Sequence, residues 1–273
     1  HDVYFGTTSP GTFQGNQPGT TFDAGTMAEN TTYYWRIDEK NAGGITTGDV
    51  WSFTTGSVVV SHWKLDEGSG TTAYDSSGGN DGTLVNGPVW TTGQIGGALN
   101  FDGMNDYINL GNSSSLKLPL PVTISAWIRL NTTGLVQKIM CIDSQSTVTY
   151  YGIWFFVQSN NKLMINYGDG RGGDGPAYRR SKVGTTALAS GSWYHVVAVL
   201  QGPTDMTLYI NGVDDGGTYS GSGTSLAYSA ATSLIGCGNS SDGYLNGIID
   251  DVRFYDRALS DEEIEQLYEG GLD

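Results

Sequence analysis

Charge is scarce in this sequence, and basic charge scarcest: 13 Lys and Arg stand against 28 Asp and Glu in 273 residues, a formal net charge of −15. Charged residues make up 15% of the chain, against ~25% in ordinary soluble domains. An acidic surface of this kind repels phosphate backbones and anionic headgroups, which argues against nucleic acid and membrane surfaces as partners of the whole chain, a rule that a local basic patch can escape. Long apolar runs are also missing. The longest, such as Ile153 to Val157 and Val196 to Leu200, are five residues, far below the ~20 that span a bilayer, so no membrane insertion is expected. Only two cysteines occur, Cys141 and Cys237, without CxxC spacing or a histidine nearby in sequence, which leaves no thiol-based metal or redox motif. A single long-range disulfide and two buried thiols both fit that pair. The N-terminus carries no signal peptide and no methionine, so the sequence reads as a processed or excised piece.

Glycine and aromatic residues are plentiful. The 41 glycines are about twice the ~7% average usage and argue for many turns between short strands. Sixteen Tyr, eight Phe and seven Trp supply core material. Thr31 to Asp38 (TTYYWRID) has the β-branched and aromatic content of a strand, Asn41 to Gly44 reads as a turn, and Asp49 to Thr55 (DVWSFTT) alternates as the return strand. Gly56-Ser57 then reads as a linker. From Val58 onward short strand patterns recur to Tyr255. In Val122 to Leu130 the residues Val122, Ile124, Ala126, Ile128 and Leu130 fall on one side, predicted to face the core, and Thr123, Ser125, Trp127 and Arg129 on the other, predicted to be partly wet. Asn211-Gly212 predicts a type I′ hairpin turn. Ser260 to Glu263 predicts a capping box opening a short helix that runs to about Tyr268.

Two resemblances follow from these segments. VYFGT at Val3 to Thr7, TTYYWRIDEKNAGG at Thr31 to Gly44 and GDVWSFTT at Gly48 to Thr55 resemble the back half of a fibronectin type III domain, with its first strands missing; modules of that family are mostly spacers. HWKLDEGSGTTAYDSSGGNDGTLVNG at His62 to Gly87, GGALNFDGMNDYINL at Gly96 to Leu110, VTISAWIRL at Val122 to Leu130, WYHVVAVL at Trp193 to Leu200, LYINGV at Leu208 to Val213 and GIIDDVRFYDRALSDEEI at Gly247 to Ile264 resemble a laminin G-like, concanavalin A-like domain. The implied fold class is all-β: an antiparallel β-sandwich jelly roll with one concave and one convex sheet over 58–273, preceded by a partial fibronectin type III-like β domain and linker over 1–57. The resemblance implies a secreted or cell-surface setting and a monomeric module of a larger chain.

Three chemistries can be weighed on this frame. Jelly-roll glycoside hydrolases place carboxylates on alternate positions of one strand, because retaining cleavage needs them ~5–5.5 Å apart. Here the acidic pairs, Asp38-Glu39, Asp66-Glu67, Asp214-Asp215 and Asp250-Asp251, are adjacent in sequence and would leave opposite strand faces. His195 in WYHVV reads as a satisfied sheet histidine rather than a base. No catalytic residues are therefore expected, and a polysaccharide-cleaving enzyme is the outlying alternative.

Metal binding rests on Asp250, which alternation puts with Ile248, Val252 and Phe254 on the core side, where an unpaired carboxylate is costly. Oxygen donors suit calcium. The family resemblance implies a structural calcium with Asp66, Asp102 and Asp250 as donors. The alternative is that Asp250 accepts backbone N–H bonds and the other two stabilise turns.

Carbohydrate binding is the leading expectation. A sugar face needs exposed aromatic platforms beside amides or cations. Tyr150, Trp154, Tyr167 and Tyr178, interleaved with Arg171, Arg179 and Arg180, form the candidate polysaccharide or glycan site, near a glycine-rich loop from Gly168 to Gly175. Five of the thirteen basic residues fall between Lys162 and Lys182, and arginine forks suit carboxylates or sulfates, which points to an acidic polysaccharide. Trp154, Phe155 and Phe156 are consecutive, so at least one must face the core, and Asp169 could simply pair with a nearby cation. A structural or protein-adhesion module without a sugar ligand is the main competitor.

Overall fold

The computed structural model describes residues 1–25, 27–28, 31–55, 59–143, 149–172, 175–238 and 243–270. The expected linker Gly56-Ser57, the Val58 strand start and residues 173–174 of the glycine-rich loop lie outside them. The chain forms two compact units, 1–58 and 59–273. Among the described residues no helix is long and apolar enough to cross a membrane.

The N-terminal unit is one antiparallel sheet. Thr32–Asn41 is its spine, paired with Asp2–Gly6, Gly44–Thr46 and Trp51–Thr54, while Thr12–Asn16 adds an edge beyond Asp2–Gly6. Cross-strand register gathers Val3, Phe5, Tyr33, Trp35, Ile37, Trp51 and Phe53 on one side. Phe5 stacks on Tyr33 with ring centroids 5.1 Å apart, and Trp35 on Trp51 at 6.4 Å. Within this unit no second sheet packs on that aromatic side among the described residues, and a cleft of about 560 Å³ opens along it.

The larger unit is a sandwich of two antiparallel sheets. One has eight strands, with Val122–Leu130 central between Trp193–Gly202 and Asn246–Tyr255; Gly97–Asp102 and Ser61–Trp63 both pair with Asn246–Tyr255. The other has nine, running through Arg179–Ala187, Lys162–Gly168, Ile153–Val157, Gln137–Ile142 and Leu234–Ile235. Alternation fills the space between them. Val122, Ile124, Ala126, Ile128 and Leu130 meet Ile139, Ile153, Phe155, Val157, Leu163, Ile165 and Tyr167 in one buried core. Each Val, Leu, Ile or Phe side chain taken from water contributes roughly 1.5–3 kcal/mol.

The local chemistry behaves as its residues dictate. Asn211 and Gly212 have φ of 52° and 80° and join Ile210 to Val213, the positive-φ pair a type I′ hairpin requires. Ser260 caps the helix Asp261–Glu269 with Glu263 reaching back, and Gly270 closes it in the left-handed region.

That helix corrects one expectation. The second face of Val122–Leu130 is wet only at half-buried Arg129: Thr123 and Ser125 are fully buried and Trp127 is buried. Tyr268 of the helix stacks on Trp127 with centroids 5.7 Å apart, Ile264 and Leu267 are buried, and Tyr209 donates to Asp261 at 2.6 Å. The outer side of the eight-stranded sheet is thus roofed by the chain's own helix where Trp127 lies.

Candidate functional site

The outer side of the nine-stranded sheet carries a separate cluster. In Ile153–Val157, Phe155 faces the core, while Trp154 and Phe156 point to the other side and are buried there with Cys141 and Met164, Tyr150 and Val183 packing against them, so neither ring is the exposed platform expected from sequence. The cross-strand register aligns these into rows. One runs Cys141, Trp154, Asn166, Ser181 and Ser220, each the direct partner of the next. A second runs Lys138, Phe156, Met164, Val183 and Thr218. Adjacent strands lie ~4.8 Å apart, so Trp154 to Ser181 spans about 10 Å.

Tyr150 and Arg179 stand at one end of this face. Tyr150 meets Trp154 edge-on, centroids 5.4 Å apart at 76°, and the Arg179 guanidinium lies 5.1 Å from the Tyr150 centroid and donates to its Oη at 3.3 Å. Both are half-buried. Bare backbone lets the Tyr150 segment come this close. A Cβ on Gly168 would stand 2.2 Å from the Tyr150 carbonyl carbon, and one on Gly152, at φ 72°, 1.9 Å from the Ile142 oxygen. At the other end, Lys138 Nζ lies 3.9 Å from the centroid of Phe156.

The remaining candidates do not share that face. Tyr167 is fully buried in the core and donates to Gly223 O at 3.4 Å; burial pushes its hydroxyl up to about 12. Alternation sends Arg180 and Lys182 the same way. Arg180 donates to Pro203 O and Gly221 O, Lys182 to Met206 O, and both cations lie over the Tyr219 ring, tying the sheet edge to its neighbours. Arg171 is exposed and engaged by Asp169 at 2.6 Å, and it also donates to Ala177 O, so it holds its own loop. Tyr178 ends a short 3₁₀ turn, half-buried. Of the seven predicted sugar-binding residues, the structure brings Tyr150, Trp154 and Arg179 together. Lys138, Phe156, Asn166 and Ser181 stand beside them.

Two polar atoms on this face lack partners. Asn166 Oδ1 and Ser181 Oγ make no hydrogen bond, although Asn166 is 4% exposed and Ser181 0%. The nearest acids to its rim serve other cations. Asp143, fully buried, accepts from Lys117 Nζ at 3.1 Å, from Ser229 Oγ at 2.9 Å and from Ala231 N at 2.8 Å, and Lys117 donates to Ser229 O and Ala231 O, which pins that loop. Cys141 and Cys237 are buried thiols.

The acidic residues predicted for metal divide. A bulge opposite Ser125 to Trp127 shifts the phase of Asn246–Tyr255, with Asp251 at φ 48°. Asp250 pairs with Trp127 and so faces away from the core, contrary to the alternation expected from sequence. It is nonetheless fully buried, because the turn joining Val89–Thr92 to Gly97–Asp102 folds over it: Gln94 and Ile95 each donate N–H to Oδ2 at 2.8 Å. Its Oδ1 has no partner. Burial pushes the Asp250 carboxyl up to about 7; the charges of Asp251 and Asp66 push the same way, and the two N–H groups oppose. Asp66 meets the same turn, accepting from Gly97 N at 2.5 Å. Asp102 stands at the far end of Gly97–Asp102, where it accepts from Met104 N and Asn105 N in a turn of its own. Three donors therefore do not converge, and among the described residues no group of three or more His, Cys, Asp or Glu is arranged to hold a metal.

Next to this turn Asp251 accepts from His62 at 2.5 Å and Arg253 at 3.1 Å. Burial raises its pKa, but the His62 bond and the Arg253 charge outweigh that and lower it. His195 is 1% exposed beneath the closing helix, with Nε2 2.8 Å from Ser125 Oγ; burial lowers its pKa to about 4, so it stays neutral. A Ser–His contact buried beneath the helix offers substrate no exposed surface, so it reads as structure.

A sequence profile described as the concanavalin A-like lectin/glucanases superfamily matches residues 102–265. Among solved structures, domain 4 of AbnA, an extracellular GH43 arabinanase from Geobacillus stearothermophilus in complex with arabinotriose, is similar at 19% identity and TM-score 0.60, over 77% of this chain and 98% of that one. The binding domain of Paraclostridial Mosquitocidal Protein 1 is similar at 17% identity and TM-score 0.56, over 78% of this chain and 52% of its own. Trypanosoma rangeli sialidase in complex with sialic acid is similar at 13% identity and TM-score 0.54, over 89% and 43%. The chain thus spans about half the length of the toxin domain and less of the sialidase. At these identities the likeness is one of fold. No curated protein matches the sequence.

Proposed function

The chain belongs to the concanavalin A-like lectin/glucanases superfamily, and from that premise we propose that residues 59–273 are a non-catalytic carbohydrate-binding module of a secreted or cell-surface protein. The observation that carries this is the outer face of the nine-stranded sheet. There a tyrosine–tryptophan pair lies beside Arg179, whose guanidinium has no carboxylate partner among the described residues. Sugar C–H faces pack on such rings, and a free guanidinium fork suits a carboxylate or sulfate. The ligand class is therefore an acidic polysaccharide. The arabinotriose and sialic acid held by two of the similar structures fit a sugar-directed fold. The N-terminal unit serves as a fibronectin type III-like spacer, and the module works as a monomer holding polymer near an activity encoded elsewhere.

Binding rather than cleavage is favoured because the carboxylates near this face, Asp143 and Asp169, are occupied by Lys117 and Arg171. Affinity-gel electrophoresis in polygalacturonate, chondroitin sulfate and linear arabinan tests the reading. Retardation that Trp154→Ala and Arg179→Ala abolish supports it, and mobility unchanged in every polymer favours the adhesion reading instead. Reducing ends released from any of these polymers by the isolated chain would replace it with the enzyme reading.

A structural calcium belongs to the same proposal. The unpartnered Oδ1 of buried Asp250 and the nearby Asp66 carboxylate fit a hard cation at the turn around Gln94 and Ile95. Asp102 does not fit it. A bound ion would neutralise Asp250 and fasten the turn to Asn246–Tyr255.

A further inference from the structure

Asn166 and Ser181 are direct cross-strand partners at the middle of the outer face, one strand from Trp154. Their Oδ1 and Oγ atoms are both buried and both unpartnered. A buried acceptor or hydroxyl left without a hydrogen bond destabilises the fold, and a protein that needs only a stable sheet would carry apolar residues there. Nothing in the sandwich uses either group: the core lies on the opposite side of both strands, and neighbouring positions of the second row are the apolar Phe156, Met164 and Val183. Two unused polar groups, adjacent to each other and to an indole, are what a hydroxylated ring would pair with.

An arm of two side chains stands beside them. Arg179 precedes Ser181 by two positions on the same strand, so it rises from the same face, and its partner Tyr150 abuts Trp154 edge-on. The hydrogen bond linking the arm, Arg179 to Tyr150 Oη at 3.3 Å, is long, and neither side chain is fully buried. Resting on the carbohydrate-binding reading above, we propose that Trp154, Asn166 and Ser181 form a subsite for one sugar ring, closed in the free protein by the Tyr150–Arg179 arm. The ring carries a carboxylate or sulfate. Its anion draws Arg179 off Tyr150, the arm swings aside, the ring packs on Trp154, and its hydroxyls satisfy Asn166 Oδ1 and Ser181 Oγ.

The test sets stability against affinity. Asn166→Leu and Ser181→Ala remove the unpartnered groups without removing packing volume that anything else needs. Each should raise the thermal midpoint of the full chain by ~2–4 °C and lower affinity for whichever polygalacturonate or chondroitin sulfate gel retards the wild type by about tenfold. A merely structural role predicts the opposite sign in stability. Tyr150→Ala supplies a second readout: the indole signal lost in Trp154→Phe should become more open to acrylamide in the free protein, as it should in wild type once polymer is added. Polymer binding that survives Asn166→Leu and Ser181→Ala unchanged but is lost in Trp154→Ala would overturn the subsite and leave the lectin reading intact. Absence of retardation by any polymer would overturn both.

Discussion

Arg179 stands over the ring of Tyr150, and Tyr150 in turn meets Trp154 edge-on, so a cation without an acid partner among the described residues is coupled to a buried indole through a tyrosine. The coupling makes charge selectivity separable from ring stacking. Arg179→Gln should weaken binding to polygalacturonate at least about tenfold, since a charged hydrogen bond contributes ~1.5–3 kcal/mol, while leaving any retention in linear arabinan within a factor of about two. Equal losses in both gels would contradict a role in reading charge.

Half-buried Lys117 and fully buried Asp143 hold the loop carrying Ser229 and Ala231 against the end of Gln137–Ile142. Removing one partner of a buried pair strands the other charge. Lys117→Met should therefore cost about 3–5 kcal/mol in urea denaturation. A loss under about 1 kcal/mol, the worth of a surface pair, would show the contact to be incidental.

His195 gives stability a definite pH dependence. Its folded pKa, about 4, lies below the ordinary 6.5, so the unfolded chain binds the extra proton first. The contribution is complete above pH 6.5 and is lost as pH falls toward 4, on the order of 3 kcal/mol in full. Urea midpoints measured from pH 7 to 4 should fall less steeply in His195→Gln than in wild type. Parallel curves would mean that the ring is not buried as neutral imidazole.

Asp250 acts with the opposite sign. Its carboxyl is raised from 3.8 to about 7, so the metal-free fold loses stability as pH climbs between those values and the buried group ionises. At pH 8, calcium should raise the melting temperature of wild type and a chelator should lower it. Asp250→Asn should ignore both and melt above the metal-free wild type. A chelator without effect, together with no metal found by elemental analysis, would remove calcium from the proposal.

Ser260 fixes the helix that roofs Trp127 and His195. Ser260→Ala should cost about 1 kcal/mol through the lost cap and speed amide exchange in residues 261–269 ahead of the sheets. Uniform exchange across the sandwich would mean that helix and sheet unfold as one.

Much of this was legible from residues alone. Alternation identified Val122, Ile124, Ala126, Ile128 and Leu130 as the core side, and the Asn211-Gly212 turn and the Ser260 cap follow from φ preference and side-chain hydrogen bonding. Of the outward face, Tyr150, Trp154 and Arg179 were legible as an aromatic and basic cluster. Lys138 and Ser181 were not, because each joins the face only through a strand partner distant in sequence. Arg180, next to Arg179, points the other way for the same period-two reason that makes neighbours diverge. Asp250 was misplaced because a bulge at Asp251 resets that period, and no composition signal marks a bulge.

What this amino-acid order determined by itself is therefore local: strand and turn, inward and outward within one segment, cap and hairpin. Tertiary structure alone decided which sheet the closing helix roofs. The closing helix settles on Trp127 and His195 rather than on Trp154 and Phe156, and that choice rests on contacts between residues more than 70 positions apart, whose pairing no local pattern encodes.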